Sequence, residues 1–283
     1  MTPKEIAHLK LKATDCRLNV MRMLRASHHG HVGGALSAMD IVTALYFYKM
    51  NVDPANPYIK DRDIFILSAG HKCLCQYAAL AERGFFPKEI LDTYGSLGSR
   101  IPGHPDMHKL PGIEANTGAL GHGLSIAAGI AIAKKLDKSL SKVYVVTGDG
   151  ELAEGSNWEA AAAAAHHKLD NLVVFVDFNG LQISGRVQDI MNMTPIDEHF
   201  RAFGWSVKNI DGNCMEDIVS SLDDVPLIPG KPTLFVAHTV KAKGLSFGEN
   251  NAAFHYWKAT DELLDRAEAE LNALRDRYIK EAE

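Results

Sequence analysis

Lys142-Val143-Tyr144-Val145-Val146-Thr147-Gly148-Asp149-Gly150 opens the stretch that decides the fold, and the stretch runs on to Gly185. The apolar run Val143–Thr147 reads as a buried strand. Gly148-Asp149-Gly150 is a turn that holds a carboxylate between two residues without side-chain bulk. An alanine-rich helix follows over Glu154 to Lys168, then a second apolar strand over Leu172 to Val176, ending in Asp177-Phe178-Asn179. Strand, turn, helix, strand is the βαβ unit of a parallel sheet. Ligands of such sheets bind beyond the carboxyl ends of the strands, where Asp149 and Asn179 both fall. Each offers a hard oxygen, the donor that magnesium prefers when phosphate and water complete its shell. The helix start after Gly150 is expected to present free N–H groups to an anion.

Working outward, the same logic recurs. Asp63 to Ser68 reads as a strand, and Ala69-Gly70-His71 follows before a helix to Arg83, which puts His71 on the same sheet edge. Thr233 to His238 reads as the last strand, followed by Lys241-Ala242-Lys243-Gly244. A strand over Trp205 to Asn209 lies between helices at Ile196–Phe203 and Met215–Leu222. N-terminal to all of these, apolar positions at helical spacing from Ile6 to Leu24 predict a helix over Pro3 to Ala26. The glycine-rich loop Ser27-His28-His29-Gly30-His31-Val32-Gly33-Gly34 comes next, and Ser37 reads as the cap of a second helix reaching about Met50. Thr93 to Thr117 is a long irregular segment carrying His104 between glycine and proline, and loops of that length are commonly functional. Gly118-Ala119-Leu120-Gly121-His122-Gly123 leads into a small-residue helix over Leu124 to Lys135. A loop through His255 leads to a charged, solvated helix over Asp261 to Lys280. The fold class expected is α/β, a parallel sheet flanked by helices on both faces, as a single domain over residues 1–283.

Composition limits the function classes. Hydrophobic content of 46%, charged content of 23% and a net charge of -5 with no basic block argue against disorder and against a nucleic-acid or anionic-membrane partner. Met1 to Ile6 has no apolar signal core, and no apolar run approaches a bilayer span. Cys16, Cys73, Cys75 and Cys214 form no Cys-x-x-Cys pair, which fits reduced thiols in the cytoplasm. Thirteen histidines are the first hint of acid–base work. His31, His71, His104 and His255 all sit in or beside glycine-bearing loops. A zinc site at His28, His29 and His31 lacks companion ligands at zinc spacing, and no Gly-x-Gly-x-x-Gly follows the first strand to suggest a dinucleotide fold.

The separation of Gly150 from Asn179 by 28 residues resembles the magnesium–diphosphate motif of thiamine-diphosphate enzymes. With Gly30-His31-Val32-Gly33-Gly34, Leu67-Ser68-Ala69-Gly70-His71, Pro102-Gly103-His104-Pro105, Thr117-Gly118-Ala119-Leu120-Gly121 and Lys241 to His255 in order, the chain resembles the N-terminal half of transketolase over nearly its whole length. The resemblance implies thiamine diphosphate and Mg2+ (or Ca2+ or Mn2+) held by Asp149, Asn179 and the carbonyl of Leu181. It places Gly150, His71 and Lys241 at the diphosphate and the backbone of Gly118, Ala119 and Leu120 at the aminopyrimidine. Glu154 would lie between two cofactor-binding subunits, and His31, His104 and His255 would face the sugar. The reaction implied is transfer of a two-carbon ketol unit from a ketose to an aldose. A separate C-terminal subunit would supply the pyrimidine-binding domain and its activating glutamate in an α2β2 complex. Alternatives are a deoxyxylulose-phosphate-synthase-like or oxoacid-dehydrogenase-like subunit, or a non-catalytic cofactor-binding module. His122 in place of glutamine, Gly34 in place of serine and the His28-His29 pair depart from the family pattern and bear on sugar specificity.

Overall fold

The computed structural model describes residues 1–283. Its centre is a five-stranded, all-parallel sheet of β1 (Ile64–Leu67), β2 (Val143–Gly148), β3 (Leu172–Phe178), β4 (Ser206–Asp211) and β5 (Thr233–His238), in the spatial order β1-β2-β3-β5-β4. Register is in step along the ladder: Val145 lies between Ile66 and Val174, and Phe175 pairs with Phe235. Such strands are covered on both faces and read as continuous apolar runs rather than alternating ones, which is why Val143–Val146 and Leu172–Val176 stand out in the sequence.

Alternation still sorts the side chains between faces. Tyr144, Val146, Val173 and Phe175 join one core with Phe65, Leu67 and Phe235. That core is covered by α1 (Pro3–Ser27), α2 (Val32–Ser37), α3 (Met39–Ala44), α4 (Cys73–Arg83), α9 (Met215–Asp223) and α10 (Asp261–Ala282). Val143, Val145, Val174 and Val176 join a smaller core under α5 (His122–Leu136), α6 (Gly155–His166) and α8 (Ile196–Ala202). The four-residue α7 (Val187–Ile190) follows a hairpin that pairs Leu181–Gln182 with Gly185–Arg186. His29–Gly30 pairs likewise with Trp257–Lys258, bringing two distant loops together.

Helix α1 starts at a capping box of Thr2 and Glu5 with Pro3 at its first position. It runs antiparallel to α10, since Arg25 pairs with Asp265 and Glu268 while Asp15 pairs with Arg275. α10 is therefore not the freely solvated helix expected: Leu264, Ala267 and Leu271, spaced three and four apart, are fully buried. Ser37 does not cap a second helix. It ends α2, and α3 is continued by a π-helical turn over Leu45–Lys49. Asp177, expected just past a strand, is its penultimate residue and has 0% exposure.

Arg17 on α1 donates two hydrogen bonds to Asp40 on α3, at 2.9 and 2.7 Å, and both residues are buried. Removing one partner of a buried pair strands the other charge. Arg17→Met is expected to lower the unfolding free energy by about 3 kcal/mol, read from urea melts. A change below about 1 kcal/mol would show that solvent reaches Asp40 freely.

Candidate active site

Because all five strands run the same way, their carboxyl ends form one edge, and the loops leaving β1, β2, β3 and β5 deliver His71, Asp149, Asn179 and Lys241 to a single cavity of about 220 Å³. His31, Gly118, Gly150, Leu120, Leu181 and His255 line it as well. Ala119 turns outward and is exposed, and Glu154 is exposed beside Gly121, away from the cavity. His104 is also exposed; it lines the adjoining groove with His29 and Tyr256.

Asp149 links two strand ends. Its Oδ1 accepts from the Gly150 N–H at 2.8 Å and its Oδ2 from the Gly180 N–H at 2.6 Å. Gly150 opens one 3-10 turn, Gly150–Ala153, rather than a long helix, and Glu154 leads from that turn into α6. The Gly150 N–H, first in the expected row, is turned to Asp149 Oδ1. Glu151 faces inward instead, accepting from Ser68 Oγ, the Gly121 N–H and the Gly148 N–H. Asn179 Oδ1 accepts from the Leu181 N–H at 3.1 Å, and the Leu181 carbonyl accepts from Lys241 Nζ at 2.9 Å.

The donor set fits a hard divalent cation. A carboxylate, an amide oxygen and a backbone carbonyl converge on a buried site. Burial pushes the Asp149 carboxyl up to about 6, the signature of a carboxylate short of positive charge. At Leu181 the Lys241 ammonium already occupies a cation's place. The anion side fits too: Lys241 lines the wall, and Gln182 Nε2 is a buried donor with no partner.

Four imidazoles gather at the mouth. Ring centroids lie 5.3 Å apart for His31 and His71, 5.4 Å for His31 and His255, 5.2 Å for His71 and His255, and 6.2 Å for His31 and His104. Gly118 is held at φ +136°, and a Cβ there would stand 2.6 Å from His104 Cδ2, so the loop can pass only as glycine. Burial, with Lys72 and His255 next, depresses His71 to about 2. Burial and then Lys241 depress His255 to about 4, and burial followed by His104 lowers His31. His28, His29 and His31 diverge, toward Asp261, Tyr256 and the cavity respectively, so they form no zinc site. His122 is exposed, with Nδ1 3.1 Å from the Leu120 carbonyl.

Residues 9–271 match the family model described as transketolase, thiamine diphosphate binding domain. The chain belongs to the transketolase family. It is 44% identical over 242 residues to the 6-deoxy-6-sulfo-D-fructose transketolase subunit of Clostridium sp. (strain MSTE9), covering 86% of this chain and 88% of that one. It is 41% identical over 277 residues to an apulose-4-phosphate transketolase subunit from Phocaeicola vulgatus, covering 98% of each. Among solved structures, transketolase from Campylobacter jejuni superposes with a TM-score of 0.87 at 29% identity over 97% of this chain and 46% of that chain. The chain thus spans just under half the length of that solved transketolase.

Several members of this transketolase site carry little signal in the sequence. Lys72, Asp177 and Glu151 are buried polar residues at its walls or just behind them, and Gln182 is half-buried there with its Nε2 out of solvent. Only their position one or two residues from strand-end motifs points to them.

The neutral imidazoles set a pH dependence. Below their ordinary value of about 6.5, the unfolded chain binds protons at His71 and His255 that the folded chain refuses. Stability therefore falls as pH drops from about 6.5 toward the folded values. Asp149, raised to about 6, opposes this at lower pH. The melting temperature is expected to fall between about pH 7 and pH 5, and less steeply in a His71→Asn, His255→Gln variant. Equal slopes in wild type and variant would refute the assignment.

Proposed function

We propose that residues 1–283 form the single thiamine-diphosphate-binding domain of a two-subunit transketolase. With a partner carrying the pyrimidine-binding and C-terminal domains, as α2β2, it would move a two-carbon ketol unit from a ketose to an aldose. The observation that carries this reading is the ring of four imidazoles over a cavity whose floor holds Asp149 and Asn179. The names of the two similar subunits favour a ketose with a terminal phosphate or sulfonate. The cytoplasm suits the chain, since Cys16, Cys73 and Cys75 are buried free thiols.

Asp149, Asn179 and the Leu181 carbonyl would hold Mg2+, and Ca2+ or Mn2+ suits the same oxygens. Gly150, His71 and Lys241 would meet the diphosphate, and Gly118 to Leu120 the pyrimidine ring. When bound, thiamine diphosphate supplies the nucleophilic carbon and the electron sink for the two-carbon unit. The chain supplies proton handling and charge stabilisation. His71 and His255, half-buried and with lowered pKa, are suited to donate hydrogen bonds to the oxyanion that develops at the ketose C2. His31, half-buried, and His104, exposed, are suited to take the C3 hydroxyl proton as the C2–C3 bond breaks and to return it when an aldose joins. Glu154 would meet a second cofactor-binding subunit. It is exposed next to α5 and α6, whose outer faces carry Ile126, Gly129, Ala162 and Ala163 in the open.

The test is co-purification of the partner followed by assay with ketose phosphates and, separately, with pyruvate. Ketol transfer without pyruvate decarboxylation is expected. Decarboxylation in its place would move the protein to another thiamine-diphosphate reaction. Asp149→Asn should weaken magnesium-dependent thiamine diphosphate binding at least about tenfold by isothermal titration, and unchanged affinity would remove Asp149 from the metal site.

A further inference from the structure

Lys72 is 3% exposed, follows His71 directly and lines the cavity beside Gly34, Gly148 and Asp149, yet the function proposed above gives it no task. A buried ammonium is tolerated only when paired. Its partner is Asp177, with Nζ 2.7 Å from Oδ2. Burial works against the lysine's charge, but Asp177 outweighs it and the pKa is raised.

Asp177 is also bonded to Ser37 Oγ at 2.6 Å, to Thr239 Oγ1 and to Asn179 Nδ2 at 3.4 Å. Asn179 Nδ2 lies 3.3 Å from Ser37 Oγ as well. These contacts engage the nitrogen of the Asn179 amide, so its oxygen, which accepts once from the Leu181 N–H, is the atom with a lone pair left for a cation. Outer partners of this kind orient metal ligands and tune them.

The backbone makes room for this lysine. A Cβ at Gly34 would stand 3.0 Å from both Lys72 Cγ and Cε, and one at Gly148 would stand 3.3 Å from Nζ. A Cβ at Gly33 would stand 2.7 Å from the Phe254 carbonyl oxygen and 3.0 Å from Lys241 Cγ and Cε. The two consecutive glycines thus leave room beside each lysine. A side chain at position 34 would press on the Lys72 stem, which would have to give by a few tenths of an ångström.

Charge says why a second lysine is useful. Asp149 and Glu151 line the cavity with two ammonium groups, Lys72 and Lys241, and Asp177 lies buried against Lys72. Without Lys72 an incoming diphosphate would meet the two lining carboxylates and a single ammonium. We propose that Lys72 is a positioning residue of the anion site, supplying a fixed positive charge beneath the diphosphate and holding Asp177 so that the Asn179 oxygen faces the metal. The inference rests on the thiamine-diphosphate reading and adds a residue to it.

The experiment titrates the chain assembled with its co-purified partner, at fixed magnesium, with thiamine diphosphate, thiamine and inorganic pyrophosphate. The variants are Lys72→Met, which keeps the stem, and Lys72→Met with Asp177→Asn, which also removes the stranded carboxylate. The double variant is expected to bind thiamine diphosphate and pyrophosphate at least about tenfold more weakly, with thiamine unchanged. Unchanged affinity for both anions in a folded double variant would overturn the proposal, and so would an equal loss for thiamine. If both variants fail to fold, Gly34→Ala, which pushes on the stem, should produce the same selective loss, and its absence there overturns the proposal. Wild-type protein that binds magnesium pyrophosphate but not thiamine diphosphate would overturn the functional reading, and Lys72 would then stand or fall on pyrophosphate alone. Wild-type protein that binds neither overturns both.

Discussion

A carboxylate buried at the centre of a parallel sheet has to be answered from several directions at once, and Asp177 is that carboxylate. It has 0% exposure near the end of the middle strand, where an uncompensated charge would cost about several kcal/mol. Its partners come from four separate parts of the chain: Ser37 at the end of α2, Lys72 after β1, Asn179 after its own strand and Thr239 after β5. Satisfying one charge therefore fixes the relative positions of the loops that build the cavity. Asp149 does the same one strand over, bonding the Gly180 N–H and so locking the exits of β2 and β3 together. The site is rigid because its polar groups are bonded to one another before any ligand arrives.

Rigidity here also controls protonation. Five imidazole or ammonium groups, His31, His71, His255, Lys72 and Lys241, share a small space, and they cannot all be charged. Lys72 keeps its proton because Asp177 lies against it. Lys241, with no carboxylate in contact, is lowered to about 8 by burial first and by Lys72 next. The imidazoles yield furthest and stay neutral at physiological pH. A neutral imidazole both donates and accepts a hydrogen bond, which is what a reversible proton transfer to and from sugar hydroxyls requires.

How much of this is legible in the sequence depends on the range of each interaction. Asp149, Asn179, His71 and Lys241 are readable because each sits just beyond an apolar strand, and parallel topology sends all such positions to one edge. Four of the five strands are readable as apolar runs; the edge strand β4, Ser206-Val207-Lys208-Asn209-Ile210-Asp211, is polar at alternate positions and half-exposed. Lys72 is not, since inside the helical-looking run Gly70–Arg83 it resembles any surface lysine, and its partner lies 105 positions away. Ser37 reads as a helix cap because its bond to Asp177 spans 140 residues, and a local bond to the Gly34 carbonyl leaves the same trace in sequence. The alanine-rich helix is readable, expected over Glu154 to Lys168 and found as Gly155–His166, but the 3-10 turn before it is not, because the bonds of Glu151 to Ser68 and the Gly121 N–H come from far along the chain. The two-residue pairings of Leu181–Gln182 and of His29–Gly30 are too short to carry any periodicity.

The same geometry explains why one half of the site is finished and the other open. On the floor and inner wall Asp149, Glu151, Asp177 and Lys72 all have partners within this chain. On the outer side His104, Ala119 and Glu154 are exposed, and α5 and α6 present Ile126, Gly129, Ala162 and Ala163 to solvent close to Gly121. Gly121 and Ser156 are bonded, so the start of α5 and the start of α6 move together. A partner docking on that pair of helix ends would bury small residues that allow close backbone approach. Under the function proposed here, the chain contributes the metal, the anion site and the proton carriers, and the group that activates the cofactor arrives from the second chain. Under that proposal reaction would depend on assembly, because the residues of this chain hold charge and protons in place while the activating group would come from the partner.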